Sequence, residues 1–108
     1  MEKYNGWTNY ATWRVNLEIL DGYETNIESD PEEYAKFVND GQISEEQQNE
    51  MIYQMMQELQ SVVEEVMDSY DTESIVRSFA DAFLEDVNYY EIAENKFLEI
   101  KNTIIELA

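Results

Sequence analysis

Between Ser44 and about Ser69 the large apolar residues Ile52, Met55, Leu59, Val62 and Val66 recur at spacings of three and four. With about 3.6 residues per helical turn, that spacing lines them along one side of an α-helix and of no other regular structure. Ser44-Glu45-Glu46-Gln47 opens the stretch as a capping box, in which the Ser44 hydroxyl takes a free N–H of the first turn. Met51, Met56, Val63, Met67 and Tyr70 widen the stripe, so the helix is expected to face more than one neighbour. The chain is organised around this long helix.

One proline and three glycines punctuate the 108 residues, and each falls where a helix should start or stop. Thr8 is the expected cap of a first helix running to about Leu20, with Tyr10, Trp13, Leu17 and Leu20 on one face and Trp7 packed back onto it. Asp21 and Gly22 end it, and residues 22–29 read as a loop. Asp30 then caps a short helix that has Pro31 in its first position and Glu33 completing a capping box. That helix is expected to bury Tyr34, Phe37 and Val38 and to end at Asp40-Gly41.

After the long helix, Thr72 is placed to cap a helix through about Val87, with Val76, Phe79, Ala80, Phe83 and Val87 inward. Asn88 with Glu91 resembles a further capping box, opening a last helix whose inward residues are Tyr90, Ala93, Phe97, Ile100 and Ile104. The predicted fold is all-α, a small helical bundle of about five helices around one long central helix. Its last three helices pack antiparallel and the N-terminal pair closes one end. No repeat or linker interrupts residues 1–108, which are read as one domain.

Composition limits the chemistry. Cysteine and histidine are both absent, which removes disulfides, thiolate metal sites and the commonest general base and nucleophile. No EF-hand spacing, Glu-x-x-His ligand pair or glycine-rich phosphate loop occurs. Among so many acids, pairs such as Glu64 with Asp68 or Asp81 with Glu85 are unavoidable and read as solvated faces. The expectation is a protein that is not an enzyme and uses no cofactor or metal. No basic start with an apolar run marks a signal peptide and no span is apolar enough for a membrane, so the expected location is cytoplasmic.

Charge is what remains. Twenty-five Asp and Glu face six Lys and Arg, a formal net charge of −19 at pH 7. A magnitude of roughly 2 to 8 is enough to keep a small domain soluble, so the excess suggests a use. The field repels nucleic acid and anionic membranes, leaving basic proteins or polyvalent cations as partners. No basic residue lies between Lys36 and Arg77, a span that holds Glu46, Glu50, Glu58, Glu64, Glu65, Asp68, Asp71 and Glu73.

At about 1.5 Å rise per residue, Glu46, Glu50, Glu58 and Glu65 are expected along one side of the long helix at intervals of roughly 6 to 12 Å. Asp81, Glu85 and Asp86, with Glu91, Glu94 and Glu99, extend the array from the last two helices. Duplex DNA carries phosphates at about 3.4 Å axial rise per strand, so carboxylates on a rigid scaffold offer an incomplete but comparable array. Such a surface competes for a groove that gains affinity by releasing phosphate counterions. The plainer alternative is that the acids only solubilise a helical protein.

The stretch Trp7-Thr8-Asn9-Tyr10-Ala11-Thr12-Trp13 resembles the Trp-x-Asn-Tyr-x-Thr-Trp motif that opens many small, uncharacterised phage and plasmid proteins. That resemblance lies within the first fifth of the chain and implies an origin in mobile elements. In size, acidity and helical build, the remainder is similar in physical type to phage DNA mimics such as anti-restriction proteins, anti-CRISPR proteins and uracil-DNA glycosylase inhibitors. Together they imply an inhibitor that binds the basic nucleic-acid site of a bacterial defence protein, a CRISPR effector ahead of a restriction enzyme, without binding nucleic acid itself. Trp7, Tyr23, Tyr53 or Tyr89 would anchor beside the charge. The alternative is a non-enzymatic phage structural or regulatory protein that acts through oligomerisation, with the Met51, Met55, Met56 and Met67 face and the aromatics pairing two copies as a homodimer.

Overall fold

A computed structural model describes residues 3–70 and 75–108. It is all-α apart from one short hairpin. Helices α1 (Tyr10–Val15), α2 (Asn26–Ser29) and α3 (Pro31–Tyr34) precede strands β1 (Val38–Asn39) and β2 (Gln42–Ile43). Helices α4 (Glu45–Asp68), α5 (Ile75–Leu84) and α6 (Tyr89–Glu106) follow.

The periodic stripe behaves as its spacing demands. α4 runs 24 residues and buries Met51, Ile52, Met55, Leu59 and Val63, with Val62, Met56 and Met67 half-buried against the same core. Ser44 caps it by accepting from the Gln47 N–H at 3.2 Å. α6 supplies the facing surface: Ile92, Ala93, Phe97 and Ile104 are buried, and Asn88 Oδ1 caps the helix by accepting from the Glu91 N–H at 3.0 Å. The pair is antiparallel, since Tyr89 at the start of α6 lies near Glu64 while Lys101 and Ile105 at its end share a surface hollow with Ile43. Each large side chain fully buried between them contributes on the order of 1.5–3 kcal/mol, an upper value because unfolded chains are already partly compact. Tyr90, expected inward, is 38% exposed.

The N-terminal segment departs from a regular helix. Its cap is Asn9, not Thr8, with Asn9 Oδ1 accepting from the Thr12 N–H at 2.8 Å. After Val15 the helix widens into a π turn over Asn16–Leu20, closed by the Asp21 N–H on the Asn16 carbonyl at 2.7 Å. The wider turn carries the buried face from Val15 to Leu20 in a step of five. Ala11, Thr12, Val15 and Leu20 are therefore buried, while Tyr10 and Leu17, expected inward, are 41% and 53% exposed. Before the helix, Asn5 and Gly6 adopt φ of 48° and 87°, and Tyr4 and Trp7 exchange two backbone hydrogen bonds across that turn.

The region read as a loop over residues 22–29 contains α2. Thr25 is its cap in a complete capping box with Glu28, and Ile27 is buried beneath. By contrast Asp30 makes no side-chain cap bond, and Glu33 pairs with Lys36 at 3.0 Å instead of reaching back. The helix opened by Pro31 gives way to a single 3-10 turn over Ala35–Phe37 and then to the hairpin, so it stops well short of Asp40-Gly41. Those two residues are the hairpin turn: φ is 53° at Asp40 and 72° at Gly41, which matches a type I′ geometry and pairs Val38 with Ile43. Tyr34, Phe37 and Val38 are half-buried.

The largest correction concerns α5. It has no buried side chain. Val76 and Phe79, expected inward, are 62% and 67% exposed, and Phe83 is 37% exposed. Ala80 and Leu84 turn towards the body of the protein, where with Val15, Ile19 and Met67 they line a shallow apolar groove of about 230 Å³. The three-helix bundle reduces to the α4–α6 pair, with α5 laid over one end. The Thr72 cap expected for α5 lies outside the described residues.

Candidate acidic interaction surface

The acidic residues of α4 divide into two exposed groups and one inward residue. At about 100° per residue, Glu46, Glu50, Glu64 and Asp68 fall within roughly 40° of one another around the helix, and all four are exposed. They share a face but not a continuous row. Between Glu50 and Glu64 lie about 21 Å of helix in which Tyr53, Gln54, Gln57 and Ser61 hold the same face without charge. Glu65 is exposed on the flank of the second group.

Glu58, expected in the same row, faces the protein instead. Its Oε2 accepts from the Tyr23 hydroxyl at 2.6 Å, and both carboxylate oxygens lie 3.1 Å from the Asn26 N–H at the start of α2. A carboxylate at a helix N-terminus is favoured by the free N–H groups there. The hydrogen bond from Tyr23 to Glu58, aided by burial and by the charges of Glu58 and Glu65, pushes the tyrosine up to about 12. Glu58 is thus a strut between α2 and α4, and Tyr23 is its partner.

Asp68 and Asp81 meet at a cation. Arg77 Nη2 lies 3.0 Å from Asp68 and its Nε 3.0 Å from Asp81, while Nη1 donates to the Met67 carbonyl at 3.3 Å. These bonds to two carboxylates hold the guanidinium above its ordinary range and fasten α5 to the end of α4. Glu85 and Asp86 are exposed just beyond α5, and the Asp86 carbonyl accepts from Asn9 Nδ2 at 2.7 Å. Asp71 and Glu73 lie outside the described residues. Glu91 does not join the array: its Oε1 accepts from the Thr8 N–H at 3.0 Å. Glu94 and Glu99 are exposed along α6.

Several basic side chains are neutralised within the chain. Arg14 pairs with Glu18 at 3.1 Å and Lys36 with Glu33 at 3.0 Å. Lys96 is buried, donating to the Tyr23 carbonyl at 3.0 Å with Glu28 at 3.9 Å. It forms the floor of a cleft of about 450 Å³ whose walls carry Asp21, Glu24, Glu28 and Glu99 beside Trp7. Surface pairs such as those of Arg14 and Lys36 add little stability, but they engage basic side chains of which the sequence holds only six against 25 acids.

Of the expected anchors, Tyr53 is 48% exposed in the neutral middle of α4, Trp7 is half-buried against the core, and Tyr23 serves Glu58. Tyr89 packs on the core, where burial first and the charge of Glu64 second raise its phenol. Met51 and Met55 lie inside the core, so α4 presents no continuous methionine face. Among the described residues no group of three or more acids is placed to hold a metal ion, and no helix is long and apolar enough to cross a membrane.

The N-terminal motif is a clasp. Thr8, Asn9 and Thr12 bond to Glu91, Asp86 and Asn88 respectively, joining α1 to the α5–α6 corner. Tyr4, Tyr10 and Trp13 form a cluster with ring centroids 5.1 to 5.7 Å apart, and Tyr10 extends it to Phe83 at 6.1 Å. Comparison with protein-family models, curated proteins and solved structures finds no match.

Proposed function

We propose that the chain is a phage- or mobile-element-encoded inhibitor of a bacterial DNA-targeting defence protein, a CRISPR effector or a restriction enzyme. It occupies the basic nucleic-acid site of that protein by presenting carboxylates in place of phosphates. The observation that supports this reading most is the exposed face of α4, where Glu46 and Glu50 at one end and Glu64 and Glu65 at the other stand on a single helix, with Asp68 beside them paired to Arg77. A preorganised array costs little entropy to dock, and each carboxylate that replaces a phosphate returns the groove's bound anions to solvent. Exposed Glu85 and Asp86 extend the same sign of charge past α5.

The test is competition. Purified CRISPR effector complexes and restriction enzymes are loaded with labelled duplex DNA and titrated with the protein at low and high salt. Mimicry requires displacement of DNA from at least one of them, with affinity falling by about tenfold or more across a severalfold rise in salt. Glu64→Gln with Glu65→Gln should weaken displacement and flatten the salt dependence. Displacement that ignores salt, or none across the panel, rejects the reading.

A second reading is favoured by the exposed apolar face of α5: a non-enzymatic structural or regulatory protein that works through oligomerisation, its acids serving solubility. It predicts self-association and no effect on DNA binding by any defence protein.

A further inference from the structure

α5 is ten residues long and buries none of its side chains, yet one side of it is apolar apart from Ser78 at its margin. Ile75, Val76, Phe79 and Phe83 are 68%, 62%, 67% and 37% exposed, and Ala82 lies among them. A helix of this length is marginal in water without packing, because its nucleation cost is recovered over too few hydrogen bonds. Among the described residues its own chain supplies the groove under Ala80 and Leu84, the edge contact of Tyr10 on Phe83 and the Arg77 ion pairs. Four large apolar side chains side by side on a soluble surface mark an interface.

We infer that this face of α5 pairs with the same face of a second copy in a two-fold homodimer. Three features favour a second copy. The cover is needed whenever the chain is folded, and another copy is the one surface present in every such preparation. The face is also uncharged and alternates large residues at 76, 79 and 83 with the small Ser78 and Ala82, so ridges of one helix have hollows to enter on its twin. Finally the area suffices. The face continues through Phe83 to Tyr10, 6.1 Å away, and Tyr4. With about 150–250 Å² in a fully buried aromatic, the strip offers roughly 600 Å² per copy. The pair then buries about 1,200 Å², the lower end of specific interfaces.

Charge opposes the pairing, and that gives it a signature. Two chains of net charge −19 repel at low salt, while the apolar contact is insensitive to screening. The dimer therefore tightens as salt rises, the opposite of docking on a basic groove. The pairing and the proposed inhibition stand or fall separately.

Sedimentation equilibrium at about 0.1 M and about 1 M sodium chloride tests it. The expected result is a monomer–dimer equilibrium at least tenfold tighter at the higher salt, and a monomer for Phe79→Asp at both. Because the chain has no cysteine, Phe79→Cys gives a second readout that needs no destabilising charge. Near a two-fold axis it should oxidise to a covalent dimer, whereas Tyr53→Cys, exposed on α4, should not, since a disulfide needs Cα atoms within about 7 Å. A wild-type chain that stays monomeric at both salts overturns the inference. So does a dimer that survives Phe79→Asp with no Phe79→Cys cross-link, since a different surface or a different protein would then cover α5.

Discussion

The Thr12 hydroxyl accepts a hydrogen bond from the Asn88 N–H at 2.9 Å while donating its own proton to Asn9 Oδ1 at 2.7 Å. Thr12 is fully buried, so one side chain completes the cap of α1 and ties it to the cap residue of α6. Thr12→Val keeps the shape and removes both bonds, and should cost about 1–3 kcal/mol. Thr12→Ser keeps the hydroxyl and should cost about 0.8 kcal/mol, the loss of one buried methyl group. Urea unfolding of the three proteins decides it; a valine variant as stable as wild type removes the clasp from the account of the fold.

Tyr23 and Glu58 give the protein an alkaline limit. The Tyr23 phenol is pushed from 10.0 up to about 12 in the folded chain, so its contribution is intact below about pH 10 and is lost as pH rises towards 12. Stability of the wild type should fall through that window more steeply than that of Tyr23→Phe. Tyr89 is raised in the same sense but is common to both proteins, so it cancels in the difference. Parallel pH profiles from thermal melts would refute the Tyr23–Glu58 coupling.

Lys96 is a buried cation whose stem packs in the core and whose head meets the Tyr23 carbonyl. Lys96→Met preserves the stem and loses the bond, for an expected cost of about 1–2 kcal/mol. Lys96→Ala also empties the space and should cost about 2 kcal/mol more. Calorimetry that ranks the methionine variant above wild type would mean the ammonium is a net burden.

Two glycines separate conformation from space. An added Cβ meets nothing within 4 Å at either Gly41 or Gly22, but only Gly41 has positive φ, at 72°. Gly41→Ala should therefore destabilise by about 1–2 kcal/mol. Gly22→Ala should be neutral or stabilise by up to about 1 kcal/mol through the unfolded chain. Equal effects would show that the Asp40-Gly41 turn does not impose its backbone.

Salt should stabilise the fold. At a net charge of −19, screening relieves repulsion between carboxylates more than it weakens the few surface ion pairs. The melting temperature should rise between about 0.01 M and 0.15 M sodium chloride, where the screening length shrinks from about 30 to 8 Å. A flat response would mean that local pairing already offsets the field.

The parts of the fold set by local repetition were legible from sequence. α4 and α6 appear with their caps because apolar spacing and a Ser or Asn at the start are enough to specify them. Their shared core follows from the two stripes. What the spacing could not convey was coverage: α5 has the same apolar recurrence, and nothing in it says that Val76 and Phe79 lie open while Leu84 is packed. The π turn was hidden for a related reason, since a regular helix moves the face by three or four and only the fold asks Leu20 to follow Val15 by five. Asp40-Gly41 did carry a readable hairpin signal, which the proline-led helix before it obscured.

Among the acids, Glu58 is indistinguishable in sequence from Glu50 or Glu64. Its role depends on Tyr23, 35 positions away. The N-terminal motif likewise reads as aromatic packing, and that is half of it. The polar half, Thr8, Asn9 and Thr12, has meaning only beside residues 86–91.

That last dependence sets an order in time. A nascent chain is made from its N-terminus at about 5–20 residues per second, so Thr12 is joined to the chain roughly 4 to 15 seconds before Asn88. Throughout that interval the hydroxyl, the Asn9 amide and the Thr8 N–H are solvated by water, and α1 has only local bonds to hold it. Residues 8–12 can reach their final environment only after residues 86–91 have been made, so native structure here does not close in the order of synthesis.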